Sequence, residues 1–296
     1  MTTAIEATEA GAPIRREPRF SWLWQLLRDP LGCFGLILVL LIVLAAVGAD
    51  VLSPYDYKAL DIKARLAAPS FEHLLGTDNL GRDTFSRILF GGRIALYVAL
   101  VSVGGSLVLG LILGMLAGYG PRWLDNGLML LFDAVRAFPV IMFALAVITV
   151  VGPSLETIIF VVIVTSVPGY ARITRAATLS LKNTEFILAE RSLGAGTVRV
   201  MVSHLLPNLI APLLILASMD IPVVITIEAG LSFLGLGVKP PTPSWGSILN
   251  DGYSFIRNTP WLVIAGGIPL IITTLGFTFL GEALRDVFDP KMKKDR

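Results

Sequence analysis

The sequence predicts an all-α membrane protein with six transmembrane helices and both termini on the cytoplasmic side. Of its 296 residues 54% are hydrophobic and only 16% charged, and the mean hydropathy is +0.75, too apolar for a water-soluble domain. Six stretches supply the roughly 20 apolar residues that a helix needs to cross about 30 Å of hydrocarbon. Lysine and arginine then fix the orientation. With the N-terminus inside, one face receives Arg15, Arg16, Arg19 and Arg28, Arg122 and Arg136, Arg172, Arg175, Lys182, Arg191 and Arg199, and five residues from Arg285 to Arg296. Those are sixteen of the 24 cations, and the positive side is the cytoplasmic one.

The elements follow in order. Met1–Ser21 has few large apolar residues and reads as a mobile cytoplasmic tail. The first span, Leu31–Val51, is longer than a signal-peptide core and reads as an uncleaved anchor. Outside the membrane, Asp78/Arg82 and Asp83/Arg87 stand at i, i+4 with Phe85, Ile88 and Leu89 beside them, which predicts a short interfacial helix. The second span, Arg93–Tyr119, carries Gly110, Gly114 and Gly118 at four-residue intervals. That stripe lets another backbone approach closely, either within the subunit or at a seam with a partner.

Spans three to six are read at Leu128–Val151, Thr157–Ser180, Asn208–Leu234 and Trp261–Gly281. Pro168-Gly169 interrupts the fourth, and Asp133 and Arg136 near the inner end of the third stand close enough in sequence to neutralise each other. The domain reading is a tail over 1–30, the first helix with its outer segment over 31–92, a five-helix core over 93–283 and a cytoplasmic tail over 284–296.

Between spans four and five lies a polar, basic segment at 183–207, longer than a chain reversal requires. Two short amphipathic helices can be read in it, hinged at Gly194-Ala195-Gly196, with Val198, Met201, Val202 and Leu205 as an apolar stripe. Such a pair presents a knob to a soluble partner.

Here the chain resembles a known family. Leu188-Ala189-Glu190-Arg191-Ser192-Leu193-Gly194-Ala195, with His204, Leu206 and Pro207 at fixed distance, is similar to the "EAA" loop of ABC-importer permeases, E-A-A-x-x-x-G followed nine residues later by I-x-L-P. Ala189, Gly194, Leu206 and Pro207 match, whereas Leu188, Glu190 and His204 replace the motif's Glu, second Ala and Ile. The run from Gly76 to Arg87 matches G-T-D-x-L-G-R-D-x-x-S-R of the dipeptide, oligopeptide and nickel importer permeases. Glu228 to Gly246, and Leu280 to Asp286 with Asp289-Pro290, match two further signatures of that family.

The resemblance implies the shorter C-type subunit with a type I ABC-importer permease fold in a bacterial inner membrane. It implies a heterodimer with a homologous B-type permease, two ATP-binding subunits beneath and an extracytoplasmic substrate-binding protein above. The loop is then the ATPase-coupling element, the cargo a di- or oligopeptide, and ATP and Mg bind the partner subunits rather than this chain. Nickel chelates, haem, opines and murein peptides are cargoes of the same architecture.

Two carboxylates fall inside the fifth span. Asp220 lies near mid-bilayer, where an unpaired charge costs roughly 2.5–3.5 kcal/mol, so it lines a water-filled path or pairs with backbone freed by Pro222. Glu228 lies further out, with a pathway role or a bond to the Gly235–Gly237 turn as its readings. The two could also form the proton relay of a stand-alone carrier.

Other chemistry is missing from the sequence. No G-x-x-x-x-G-K-[ST] phosphate loop occurs, since Gly230 to Gly235 is followed by Leu236, so the chain does not hydrolyse ATP itself. The single Cys33 excludes an internal disulfide, and His73 and His204 fall on opposite faces and share no metal site. The net charge of +2 is explained by topology and indicates no nucleic-acid partner.

Overall fold

The computed structural model describes residues 21–288, with residues 21–24 and 288 described by backbone alone. The tail expected before Ser21, Asp289-Pro290 and the cations beyond them lie outside the described residues. The described chain is helical, with five helices long and apolar enough to span a membrane and a further pair of helices, bent by 87° at their junction, that is long and apolar enough when taken together.

A short helix α1 (Ser21–Arg28) leads into α2 (Pro30–Val47). Asp29 caps α2 by accepting from the Gly32 N–H at 2.8 Å, and Pro30 occupies the first turn, where its missing N–H has no partner to lose. After Gly48 the chain adds one turn, α3 (Ala49–Leu52). The second long helix, α4 (Thr84–Tyr119), has 36 residues and is about 54 Å long, so it projects beyond the hydrocarbon.

The predicted third span is broken in two, α5 (Arg122–Arg136) and α6 (Val140–Val151). Proline disfavours helical conformation in the residue before it and donates no N–H, so Phe138-Pro139 ends one helix and opens the next. Pro168 has the opposite outcome: α7 (Leu155–Leu181) runs through it without a break. The packing of α7 on α4 is the most extensive in the molecule, and it outweighs the ~3 kcal/mol that an interior proline costs.

The inner connection consists of α8 (Glu185–Ser192), α9 (Thr197–Val200) and a wide π-turn over Met201–Leu205, which flows into α10 (Leu206–Phe233). Outside, α11 (Trp245–Ser254) starts with a capping box in which Ser244 and Ser247 each bond the other's backbone, and α12 (Trp261–Phe288) completes the bundle. Helix α4 is central, packed on α7, α10 and α2, while α12 lies between α2 and α10.

The glycine stripe lies inside the subunit. A Cβ built on Gly110 comes 3.1 Å from the Ala171 backbone nitrogen, one on Gly114 comes 2.5 Å from the Thr174 Cβ, and one on Gly118 comes 2.8 Å from the Thr178 Cβ. The three therefore serve the α4–α7 contact.

The outer segment corrects another expectation. Residues 77–83 are not helical, because Gly76 and Gly81 sit at φ +70° and +76° and Asp83 is the N-cap of α4, accepting from the Ser86 N–H at 2.7 Å. Asp78 accepts from Arg82 Nε at 2.6 Å and also from Arg87, while Asp83 pairs with His73 Nδ1 at 2.9 Å rather than with Arg87. Asp251 of α11 stands 3.8 and 3.7 Å from the two guanidiniums, its carboxyl pushed up by burial against the opposing pull of Arg87. This buried cluster fastens the outer segment to the bundle, as does Trp245, whose indole N–H donates to the Ile88 carbonyl at 3.0 Å.

Candidate functional site

Two features carry the functional reading: the knob at the inner end and a polar cavity within the bundle. The knob forms because Gly194 terminates α8 in the left-handed region at φ +87°. The Ala195 N–H then reaches the Glu190 carbonyl and the Gly194 N–H the Arg191 carbonyl, both at 3.0 Å, the paired bonds of a Schellman turn. Ala189, Glu190, Arg191 and Ser192 belong to α8, Leu193-Gly194-Ala195 to the turn, His204 to the π-turn, and Leu206-Pro207 open α10, where the missing Pro207 N–H is not needed.

Ile187, Val200 and Leu205 anchor the knob, each fully buried. Of the predicted stripe, Leu205 is buried and Met201 half-buried, whereas Val198 and Val202 face outward and Val200 takes an inward position, the helix being widened by the π-turn over Met201–Leu205. With Phe186, Leu188 and Leu193 they give the knob an exposed apolar cap, and Leu193 at its tip is 86% exposed. His204 bridges the halves: its Nε2 lies 3.7 Å from a Glu190 carboxylate oxygen and its ring meets Phe186 edge-on at 6.4 Å. That half-exposed pair is worth under about 1 kcal/mol.

The base of the knob is tied to the inner end of α4. Lys182 Nζ donates to the Gly118 carbonyl at 2.7 Å, and the Arg191 guanidinium lies 5.9 Å above the Tyr119 ring. These contacts tie the base of the knob to α4, which packs along α7.

The cavity lies between α5, α7 and α10 and measures about 410 Å³. Asp220 lines it, as do Arg136, Tyr170 and Arg172, which sequence reading did not assign to a site. Asp133 pairs with Arg172 across the bundle, not with Arg136, and Arg175 holds Asp125 through an Nη–Oδ2 bond of 2.6 Å. Both partners are remote in sequence, so local spacing gave no indication of them. The Tyr170 hydroxyl is buried beside Asp220 without closing a hydrogen bond to it.

Glu228 does not line this cavity. It is fully buried further along α10, where the Ser232 hydroxyl donates to its Oε1 at 2.7 Å and the Ser244 side chain lies close by. The bond is thus to Ser232, against which Gly237 packs, rather than to the Gly235–Gly237 turn itself.

Residues 110–294 match the binding-protein-dependent transport system inner membrane component family, and residues 21–69 match the N-terminal transmembrane domain of oligopeptide transport permease C. The chain is 39% identical to the dipeptide transport system permease protein DppC of Alkalihalophilus pseudofirmus over 91% of its own length and 88% of that protein. It is 38% identical to the di/tripeptide permease DppC of Pseudomonas aeruginosa, covering 91% of each chain. It is 37% identical to the glutathione permease GsiD of Pectobacterium atrosepticum, covering 97% and 98%. Among solved structures, an inward-facing MetNI methionine ABC transporter superposes with a TM-score of 0.54 at 21% identity, covering 67% of this chain and 95% of that one, and shares the fold.

Proposed function

The chain belongs to the family of binding-protein-dependent transport system inner membrane components, and from that premise we propose that it forms half of the translocation pathway of an importer for di- and oligopeptides. It is a multi-pass permease subunit of a bacterial ABC importer, a transport component rather than an enzyme, working with ATPase and substrate-binding subunits. The peptide cargo rests on relatives whose names specify dipeptides, di- and tripeptides and glutathione, each aligned over nearly the whole of both chains.

In the finer reading the other half of the pathway is a homologous B-type permease, and two ATPase subunits carry ATP and Mg at the inner face. A binding protein delivers cargo from outside. The knob, within the coupling segment 183–207, docks into the ATPase. The observation that carries this role is its exposed apolar cap, Phe186, Leu188, Leu193, Val198 and Val202, on a segment tied to α4. Closure of the ATPases moves the knob and favours the outward-open bundle. Swinging that equilibrium from 1:99 to 99:1 takes about 5.5 kcal/mol of differential binding, within reach of a coupled ATP cycle.

The stand-alone proton carrier is the weaker reading, because Asp220 lines the cavity and Glu228 is bonded to Ser232 away from it. Purification of the tagged chain from native membranes in mild detergent tests the assignment. Recovery of a second permease and ATPases, with ATP-dependent dipeptide uptake by the reconstituted complex, is expected. Recovery of this chain alone, with uptake driven by a proton gradient, refutes it. Uptake of nickel chelates, haem, opines or murein peptides in place of di- and oligopeptides retains the importer and overturns the cargo.

A further inference from the structure

The cavity between α5, α7 and α10 combines apolar walls with charged groups. Its walls are largely apolar, with Leu216, Val223, Val224 and Ile227 on one side. Set into them are one carboxylate, Asp220, two guanidiniums, Arg136 and Arg172, and the hydroxyls of Ser166 and Tyr170. Arg172 is also engaged by Asp133, so among the described residues the cavity holds one carboxylate and one guanidinium outside any ion pair, Asp220 beside the Tyr170 hydroxyl and Arg136. Tyr170 is 1% exposed, and its buried hydroxyl lies beside the Asp220 carboxylate without closing a hydrogen bond to it, which leaves room for a third group between the two.

We propose that this cavity is a binding site for the zwitterionic backbone of the peptide in transit. The inference rests on the importer reading and names what the membrane subunit itself recognises. Asp220 receives the α-ammonium, Arg136 the α-carboxylate, and the Tyr170 hydroxyl a polar group of the cargo between them. An ammonium and a carboxylate are the two groups that most need such partners when leaving water, because each loses several kcal/mol of hydration in a low-dielectric passage. Two residues of extended peptide span about 7 Å, and about 410 Å³ lies within the range of cavities that enclose small molecules. The apolar wall offers no polar partner to side chains, so the site reads termini and tolerates side-chain variety.

The test uses the complete complex, permeases, ATPases and binding protein, in proteoliposomes with a radiolabelled dipeptide. Uptake and binding-protein-stimulated ATP hydrolysis are measured together for wild type, Asp220→Asn, Asp220→Glu and Arg136→Gln. The expected result is about a tenfold fall in dipeptide taken up per ATP hydrolysed in Asp220→Asn and in Arg136→Gln, the consequence of losing one charge-assisted hydrogen bond. ATPase stimulation stays at the wild-type level, and Asp220→Glu recovers at least half of the wild-type ratio.

Wild-type uptake per ATP in both neutralised variants overturns the site while leaving the importer assignment intact. Joint loss of uptake and ATPase stimulation in Asp220→Asn and Arg136→Gln also overturns it, since both residues would then serve architecture or assembly. A wild-type complex that takes up no dipeptide refutes the peptide assignment itself, and the zwitterion site with it.

Discussion

Substituting Gly194 separates folding from coupling. Its φ of +87° is one that L side chains adopt at a cost of about 1–2 kcal/mol, and Asp is among the residues that tolerate it best. A Cβ built there meets nothing within 4 Å, so the added side chain causes no clash inside the subunit. Gly194→Ala therefore carries the backbone strain alone, and Gly194→Asp adds a carboxylate at the tip of the knob. If the tip enters an ATPase cleft, that carboxylate is desolvated without a partner, at about 3–5 kcal/mol. This removes most of the ~5.5 kcal/mol that drives the conformational swing. Gly194→Asp is expected to reach the membrane in wild-type amount and lose more than a hundredfold in ATP-dependent uptake, with Gly194→Ala losing less than tenfold. The assay is transport by whole cells or proteoliposomes, normalised to permease content. Wild-type uptake by Gly194→Asp refutes the docking role. Equal loss in both variants assigns the defect to the turn.

Three further outcomes are expected. Gly114→Val forces a branched side chain where a Cβ already comes 2.5 Å from the Thr174 Cβ, so the subunit should fail to accumulate as a monodisperse species on size-exclusion chromatography in detergent. Asp78→Ala leaves Arg82 and Arg87 buried with only Asp251 near, a loss of about 3 kcal/mol or more that protease digestion from the outer side should reveal as faster cleavage between residues 53 and 83. Glu190→Gln removes only the half-exposed contact with His204, so uptake should stay within about fivefold of wild type.

The spans were legible because apolar length is a one-dimensional property. The loop was legible because Gly194 and Pro207 each leave a local backbone signature. The long-range features were less accessible. Asp78/Arg82 and Asp83/Arg87 have helical spacing, yet Gly76 and Gly81 turn the chain, and Asp83 is used as a cap and as the partner of His73. Asp133 has Arg136 three residues away but pairs with Arg172, which only the packing of α5 on α7 brings close. The break at Pro139 was present in the sequence, but the unbroken α7 through Pro168 shows that a proline alone does not decide the outcome, since packing against α4 does. The cavity needed three elements at once. Tyr170 was therefore assigned to no site and Arg136 only to a local pair with Asp133, although an aromatic hydroxyl in an apolar span and a cation beside a helix break were both visible.

The central claim is that the knob meets an ATPase, and site-specific crosslinking tests it most directly. A photoreactive residue at Leu193, 86% exposed at the tip, is compared with one at Phe71, fully exposed on the outer segment. On irradiation of native membranes, the account predicts an adduct between position 193 and an ATP-binding subunit and none from position 71. An absence of that adduct in cells shown to carry out ATP-dependent uptake, or an ATPase adduct from position 71, contradicts it.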